Sequence, residues 1–275
     1  MAHNRRPFVS ISAVLVGLVL SGCASGPKPA DNPPVASIGA MGDSISRAFD
    51  ACTFLADCMA DSWTTGNDPA VASHYQRLLA RNPAIAGRAY NVAKVGASSA
   101  DLPDEAKALA ARRPDYITML MGSNDACAED ETEMTSPAVF RARVDQALTT
   151  IYTARPDTRM LVASIPDIYR LWQVGHSNSV AQLVWSAGFC RTMLDNPTST
   201  SAPDEARRQR VRTRVMSFND QLAAACALHP GCRYDGGAVF AYPFAVTDLS
   251  RFDFFHPNAA GQRKLSAITW AKSGL

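Results

Sequence analysis

The chain has 275 residues, 47% of them hydrophobic, with 27 basic against 25 acidic side chains. That length and composition suit one globular domain and exclude a fibrous or low-complexity chain. The near-even charge forms no basic stripe, which argues against a nucleic-acid partner.

The N-terminus, MAHNRRPFVSISAVLVGLVLSGC, places Arg5 and Arg6 before an apolar stretch too short to span a bilayer. This is the pattern of an export signal. Leu20-Ser21-Gly22-Cys23 resembles the lipobox of bacterial lipoproteins, which implies cleavage before Cys23 and a diacylglyceryl group on its thiol. Such an anchor would tether the protein to the outer side of the cytoplasmic membrane, each buried methylene contributing about 0.8 kcal/mol. The alternative is an ordinary secretory signal with an incidental cysteine. Arg5-Arg6-Pro7 faintly resembles a twin-arginine signal, so the export route stays open. Arg5 and Arg6 are the only charges before Cys23, so the mature chain is formally neutral. The expected organisation is a signal over 1–22, a Pro-rich tether over 23–35 and one domain over 36–275.

With Cys23 assigned to lipid, Cys52, Cys58, Cys127, Cys190, Cys226 and Cys232 remain, an even set suited to an oxidising compartment. Several connectivities are open. The two short loops Cys52–Cys58 and Cys226–Cys232 are favoured, leaving Cys127–Cys190. No CxxC occurs, and His229 near Cys232 is a lone histidine, so no metal site or cofactor is expected.

Short apolar runs suited to buried strands occur at 36–41, 89–93, 116–121, 160–165 and 238–240. Helical patterns at 69–80, 102–112, 137–154, 204–228 and 259–271 alternate with them. Alternation of this kind predicts right-handed crossovers and a parallel sheet covered on both faces, with ligands beyond the carboxyl ends of the strands. Those ends carry the polar blocks. Gly42-Asp43-Ser44 follows the first strand and precedes an expected helix. Gly96 lies in the turn after the second, and Gly122-Ser123-Asn124-Asp125 follows the third. Near the C-terminus, SRFDFFHPN sets Asp253 three residues before His256.

A serine hydroxyl is a poor nucleophile until an imidazole takes its proton. His256 can do so, with Asp253 holding its other nitrogen. The resulting oxyanion needs converging donors, which the backbone N–H groups of Ser44 and Gly96 and the Asn124 amide can supply. The same residues have structural readings: Ser44 as a helix cap, Gly96 as a turn residue, Asn124 or Asp125 as caps of a following helix. Asp125 is expected to cap and Asn124 to serve the oxyanion.

These four ordered blocks resemble the SGNH or GDSL hydrolases, with Ser44, Gly96, Asn124 and His256 at the naming positions and Asp253 in the DxxH block. The resemblance implies a three-layer α/β/α, flavodoxin-like domain with about five strands and ester hydrolysis without a metal. Two departures are Ile45, where a leucine is usual, and Ser123, where many relatives have glycine. SWTTG, NVAKVGASSADLP and ITMLMGSNDAC are similar to phospholipase B-type lipases and to secreted actinobacterial GDSL lipases with three disulfides. Those relatives imply acyl esters, including phospholipids, as substrates.

His74 and His176 lack an acidic partner at triad spacing and are expected to be structural or solvated. The stretch 168–203 is long for a connection, and its Trp172, Leu183 and Trp185 form either a satellite core pinned by Cys190 or an acyl-chain wall. The expectation is thus a monomeric, membrane-anchored esterase or lipase. A carbohydrate O-deacetylase of the same fold and a non-catalytic lipid-binding lipoprotein are the alternatives.

Overall fold

The computed structural model describes residues 1–4 and 34–275. Most of the export signal, Cys23 and nearly all of the expected tether lie outside the described residues. Val35, counted above with the tether, is instead buried against Ile38, Leu78 and Tyr116, so the domain begins just before residue 36.

Five strands form one parallel sheet: β1 Ile38–Gly42, β2 Ala89–Asn91, β3 Tyr116–Leu120, β4 Arg159–Val162 and β5 Cys232–Tyr234. Their order is β2-β1-β3-β4-β5, the flavodoxin-like winding. β1 and β3 are buried throughout and read as continuous apolar runs, as central parallel strands must. Alternation along β3 divides the core. Ile117 and Met119 join one cluster with α2 Leu102–Arg112, α4 Pro137–Ala154 and α8 Ala202–Cys226. On the opposite face Tyr116 and Leu120 meet α1 His74–Arg81 and α10 Ala259–Ser273.

The opposite face is pinned by a buried histidine. His74 Nε2 lies 2.8 Å from the Thr269 hydroxyl, which itself donates to the Leu265 carbonyl. Nε2 is therefore the donor, and Nδ1 accepts from the Tyr116 hydroxyl at 2.9 Å. One neutral ring ties α1, β3 and α10. Burial, with Arg77 nearby, depresses its pKa to about 3.

Two expected elements differ. The first helix begins at His74 rather than Pro69, because Ser73 and Gln76 form a capping box that starts it there. The fifth strand is Cys232–Tyr234, whereas 238–240 lies in the short helix α9, Ala238–Ala241. Asp235 accepts the Gly237 and Val239 N–H groups and a hydrogen bond from the Ser164 hydroxyl. That turn converts the apolar Ala-Val-Phe run into helix. The real strand is a half-buried edge whose polar Arg233 hides it from an apolar-run criterion.

Between β3 and α8 lie α3 Ser123–Ala126, α5 Ile168–Gly175, α6 Ser179–Trp185 and α7 Arg191–Leu194. No helix among the described residues is long and apolar enough to cross a membrane. Disulfides join Cys52–Cys58, Cys127–Cys190 and Cys226–Cys232, which fits an oxidising compartment. Thiol titration of the folded chain, unfolded without reductant, should find no free thiol among these six. Two or more would contradict the three bridges.

Candidate active site

β1 and β3 deliver two of the polar blocks side by side. β1 must turn sharply beside β3 at Gly42, whose φ is 141° and where a Cβ would sit 2.1 Å from the Leu120 carbonyl oxygen. Only glycine fits. The next residue shapes the turn: Asp43 Oδ1 accepts the Ile45 N–H at 2.9 Å. The segment after Ser44 is not the expected helix but a run of turns, broken by left-handed backbone at Ala48 and Asp50. Ser44 therefore caps no helix, and its N–H has no partner among the described residues.

The C-terminal loop brings the base. Its ends are held by the Ser250 N–H donating to the His256 carbonyl at 2.7 Å, and Asn258 caps α10 just beyond. Asp253 Oδ1 accepts the Phe255 and His256 N–H groups, leaving Oδ2 to face His256 Nδ1 at 2.6 Å. Nδ1 donates to that carboxylate, so Nε2 is the free acceptor. It lies 2.7 Å from Ser44 Oγ. Burial alone would raise the Asp253 pKa, but the His256 hydrogen bond and charge and the two N–H groups outweigh it and hold the carboxyl below its usual range. Ser44, His256 and Asp253 thus form one continuous hydrogen-bonded chain.

The second and third blocks meet on the other side of Ser44's turn. Gly96 has φ 74°, its missing Cβ would point into open space, and its N–H is unpaired among the described residues. Asn124 Nδ2 donates to the Ala97 carbonyl at 2.7 Å, which ties α3 to the Gly96 loop. The expected capping role of Asp125 is not what the structure contains. Its carboxylate accepts the Ser99 N–H at 2.7 Å and the Ser99 hydroxyl at 2.5 Å, and so holds the Gly96 loop in place. The Ser44 and Gly96 N–H groups and the second Asn124 Nδ2 hydrogen are uncommitted among the described residues, donors of the kind an oxyanion needs.

Of the two readings open for Trp172, Leu183 and Trp185, the acyl wall does not hold. Trp172 is buried, donates to the Pro197 carbonyl and lies under the Arg208 guanidinium at 4.1 Å. Trp185 is buried against Gly175, and Leu183 is 74% exposed. The two tryptophans belong to the main core cluster that they share with Ile117 and Met119, not to a separate satellite. The other side of α5 lines an apolar cleft instead, with Ile168, Leu171 and Val174 facing Tyr242, Phe244 and Phe255. Ile45 and Pro257, sequence neighbours of Ser44 and His256, also line it, and the cavity volume is about 60 Å³.

Behind the Ser44 turn lie two buried acids that sequence reasoning overlooked as a pair. Glu105 accepts the Gly42 N–H at 2.8 Å, while its Oε1 and Asp43 Oδ2 have no partner among the described residues. The signal was available, since Glu105 interrupts the apolar face Leu102, Ala106, Leu109 of α2. Burial is the main cause pushing Glu105 up to about 8 and Asp43 up to about 7. A raised folded-state pKa gives stability that is complete at low pH and lost as pH rises through that value. His74 works oppositely, but above its ordinary 6.5 its contribution is complete. Stability should therefore fall above pH 6.5, by up to about 1.4 kcal/mol per pH unit for each group, Asp43 ceasing to contribute near pH 7 and Glu105 near pH 8. Glu105→Gln, which keeps the acceptor for Gly42, should flatten that fall in denaturant titrations. An unchanged slope would contradict the assignment.

The family model described as "GDSL-like Lipase/Acylhydrolase family" matches residues 40–264. No curated protein matches the chain. Among solved structures, a GDSL-like lipase of Parabacteroides merdae aligns with a TM-score of 0.54 at 16% identity, covering 86% of this chain and 95% of that one. A salicylyl-acyltransferase from a tetracycline biosynthetic pathway aligns at 0.53 and 14%, covering 88% of this chain and 55% of that one. Phospholipase A1 from Streptomyces albidoflavus aligns at 0.47 and 18%, covering 86% and 99%. At such identities the first two likenesses are of fold. The family match spans most of the chain, which belongs to the GDSL-like lipases and acylhydrolases, hydrolases of acyl esters.

Proposed function

We propose that the protein is a serine esterase that cleaves short- to medium-chain acyl esters through a covalent acyl-enzyme on Ser44. The observation that carries this reading is the chain from Ser44 Oγ to His256 Nε2 at 2.7 Å and from Nδ1 to Asp253 at 2.6 Å. His256 takes the Ser44 proton as Oγ bonds to the ester carbonyl carbon, and Asp253 stabilises the imidazolium. The carbonyl oxygen becomes an oxyanion, received by the Ser44 and Gly96 N–H groups and the Asn124 amide. Collapse breaks the bond to the alkoxy oxygen, which leaves with the proton from His256. Water then attacks the acyl-enzyme, gives its proton to His256, and the carboxylic acid departs as Ser44 regains its proton.

The apolar cleft bears on the substrate. Its volume of about 60 Å³ is small for a long acyl chain. Its largely apolar lining suits an acyl chain longer than acetyl, which weighs against a carbohydrate O-deacetylase. Long acyl chains would require α5 to move outward.

Ser44→Ala should abolish hydrolysis of p-nitrophenyl esters while unfolding stays cooperative, since no backbone contact is lost. In the wild type, kcat/KM across acyl lengths should peak near butanoate to hexanoate and fall for palmitate. Activity retained without the Ser44 hydroxyl would refute the mechanism. A maximum at acetate would refute the pocket assignment alone.

A further inference from the structure

The mechanism above leaves one carboxyl beside its machinery without a task. Asp50 is 2% exposed. One oxygen of Asp50, one of Asp253 and a ring nitrogen of His256 lie within 4.8 Å of one another. The cations of the surrounding segments are committed elsewhere, and Asp43 is a further buried acid close enough to feel the His256 charge. Arg47 pairs with Asp57 on the disulfide loop, and the Arg251 guanidinium lies over the Phe252 ring. Among the described residues, the ion-pair partner of Asp253 is His256, and no lysine or arginine pairs with either carboxyl. Two adjacent buried carboxylates facing a single imidazole cannot both stay charged without large cost, so one holds a proton.

The local hydrogen bonds identify which one. Asp253 uses Oδ1 for two N–H groups and Oδ2 for the His256 ring, all donors to a carboxylate. Asp50 receives one N–H, from Leu55 onto Oδ1 at 2.5 Å. Its other oxygen is left to carry a proton. The Asp50 backbone is clamped from both sides: its N–H donates to the Ala56 carbonyl at 2.9 Å, and its carbonyl accepts the Ser250 hydroxyl at 2.7 Å. The Cys52–Cys58 disulfide closes the loop between these contacts. Its φ of 57° is left-handed, a conformation that Asp and Asn adopt more readily than most residues.

We propose that Asp50 is a positioning residue for the reaction, a neutral carboxyl that donates a hydrogen bond to Asp253 and fixes the orientation in which Asp253 holds His256. The proposal rests on the reading of Ser44, His256 and Asp253 as the reacting chain. Burial first, then the hydrogen bond and charge of Asp253, push the Asp50 carboxyl above its usual range. Asp253 moves the opposite way. Both directions put the proton on Asp50. The short disulfide loop gains a role thereby, since it holds the Asp50 side chain against the loop that carries the base.

Asp50→Asn and Asp50→Ala, assayed beside the wild type and Ser44→Ala on a soluble ester across pH, test this. Asparagine keeps an acceptor for the Leu55 N–H and a donor for Asp253 with no charge. It should retain kcat within about threefold and leave the acid limb of kcat/KM in place. Alanine should lower kcat by about tenfold or more with little change in KM, the signature of lost positioning. Wild-type kcat in Asp50→Ala would overturn the proposal. So would an acid limb displaced downward by about one pH unit in Asp50→Asn, because it would show that a negative charge had been removed. Should the alanine variant not fold, the asparagine arm still decides. An active Ser44→Ala would overturn the reacting chain and this proposal with it, whereas an inactive one beside a fully active Asp50→Ala would overturn the role of Asp50 alone.

Discussion

The contact between Ser44 Oγ and His256 Nε2 joins residues 212 positions apart at 2.7 Å. Nothing local produces it. It requires β1 to end at a fixed height beside β3, the last loop to cross above that edge, and α10 to pull the loop down. Each requirement has a physical agent: the five-residue register between β1 and β3, the Ser250–His256 backbone bond, and the buried Gln262 side chain of α10. Gln262 accepts the Trp63 N–H and donates to the Ile45 carbonyl, one residue from Ser44. A parallel sheet is suited to this task because its strand ends present non-hydrogen-bonded backbone at one edge, where loops can converge.

The cost of that edge is visible in buried acids. Asp43, Glu105, Asp50 and Asp253 are all nearly excluded from water, and a buried carboxylate is unfavourable unless hydrogen-bonded or protonated. Asp253 is solved by hydrogen bonds, Glu105 and Asp43 by raised pKa values. The apolar clusters on both faces of the sheet and three disulfides offset the penalty. Stability concentrated in the core thereby supports the burial of these acids at the site.

Much of this was legible in the sequence, for identifiable reasons. β1 and β3 announce themselves as unbroken apolar runs because both faces of a central parallel strand are buried. The four polar blocks stand out because each follows such a run or precedes the last helix. The family resemblance matched Asp253, already placed by its spacing from His256, to a DxxH block and added the flavodoxin-like architecture that the sheet order displays. What escaped depends on long-range packing. β5 is short and polar at its centre, and the neighbouring apolar run is diverted into helix by Asp235. Trp172 and Trp185 could be read as core or as pocket wall because their hydrophobicity says nothing of direction; Arg208 and Gly175 draw them inward. Asp50 carried no signal, since its partner lies two hundred residues away.

The central claim is that Ser44 is the attacking atom. A fluorophosphonate inhibitor, which phosphonylates activated serines, tests it directly when the labelled site is mapped by peptide mass spectrometry. The account predicts one phosphonyl group, on Ser44, accumulating in step with the loss of esterase activity. Complete inactivation with Ser44 unmodified, or full activity with Ser44 labelled, would contradict it.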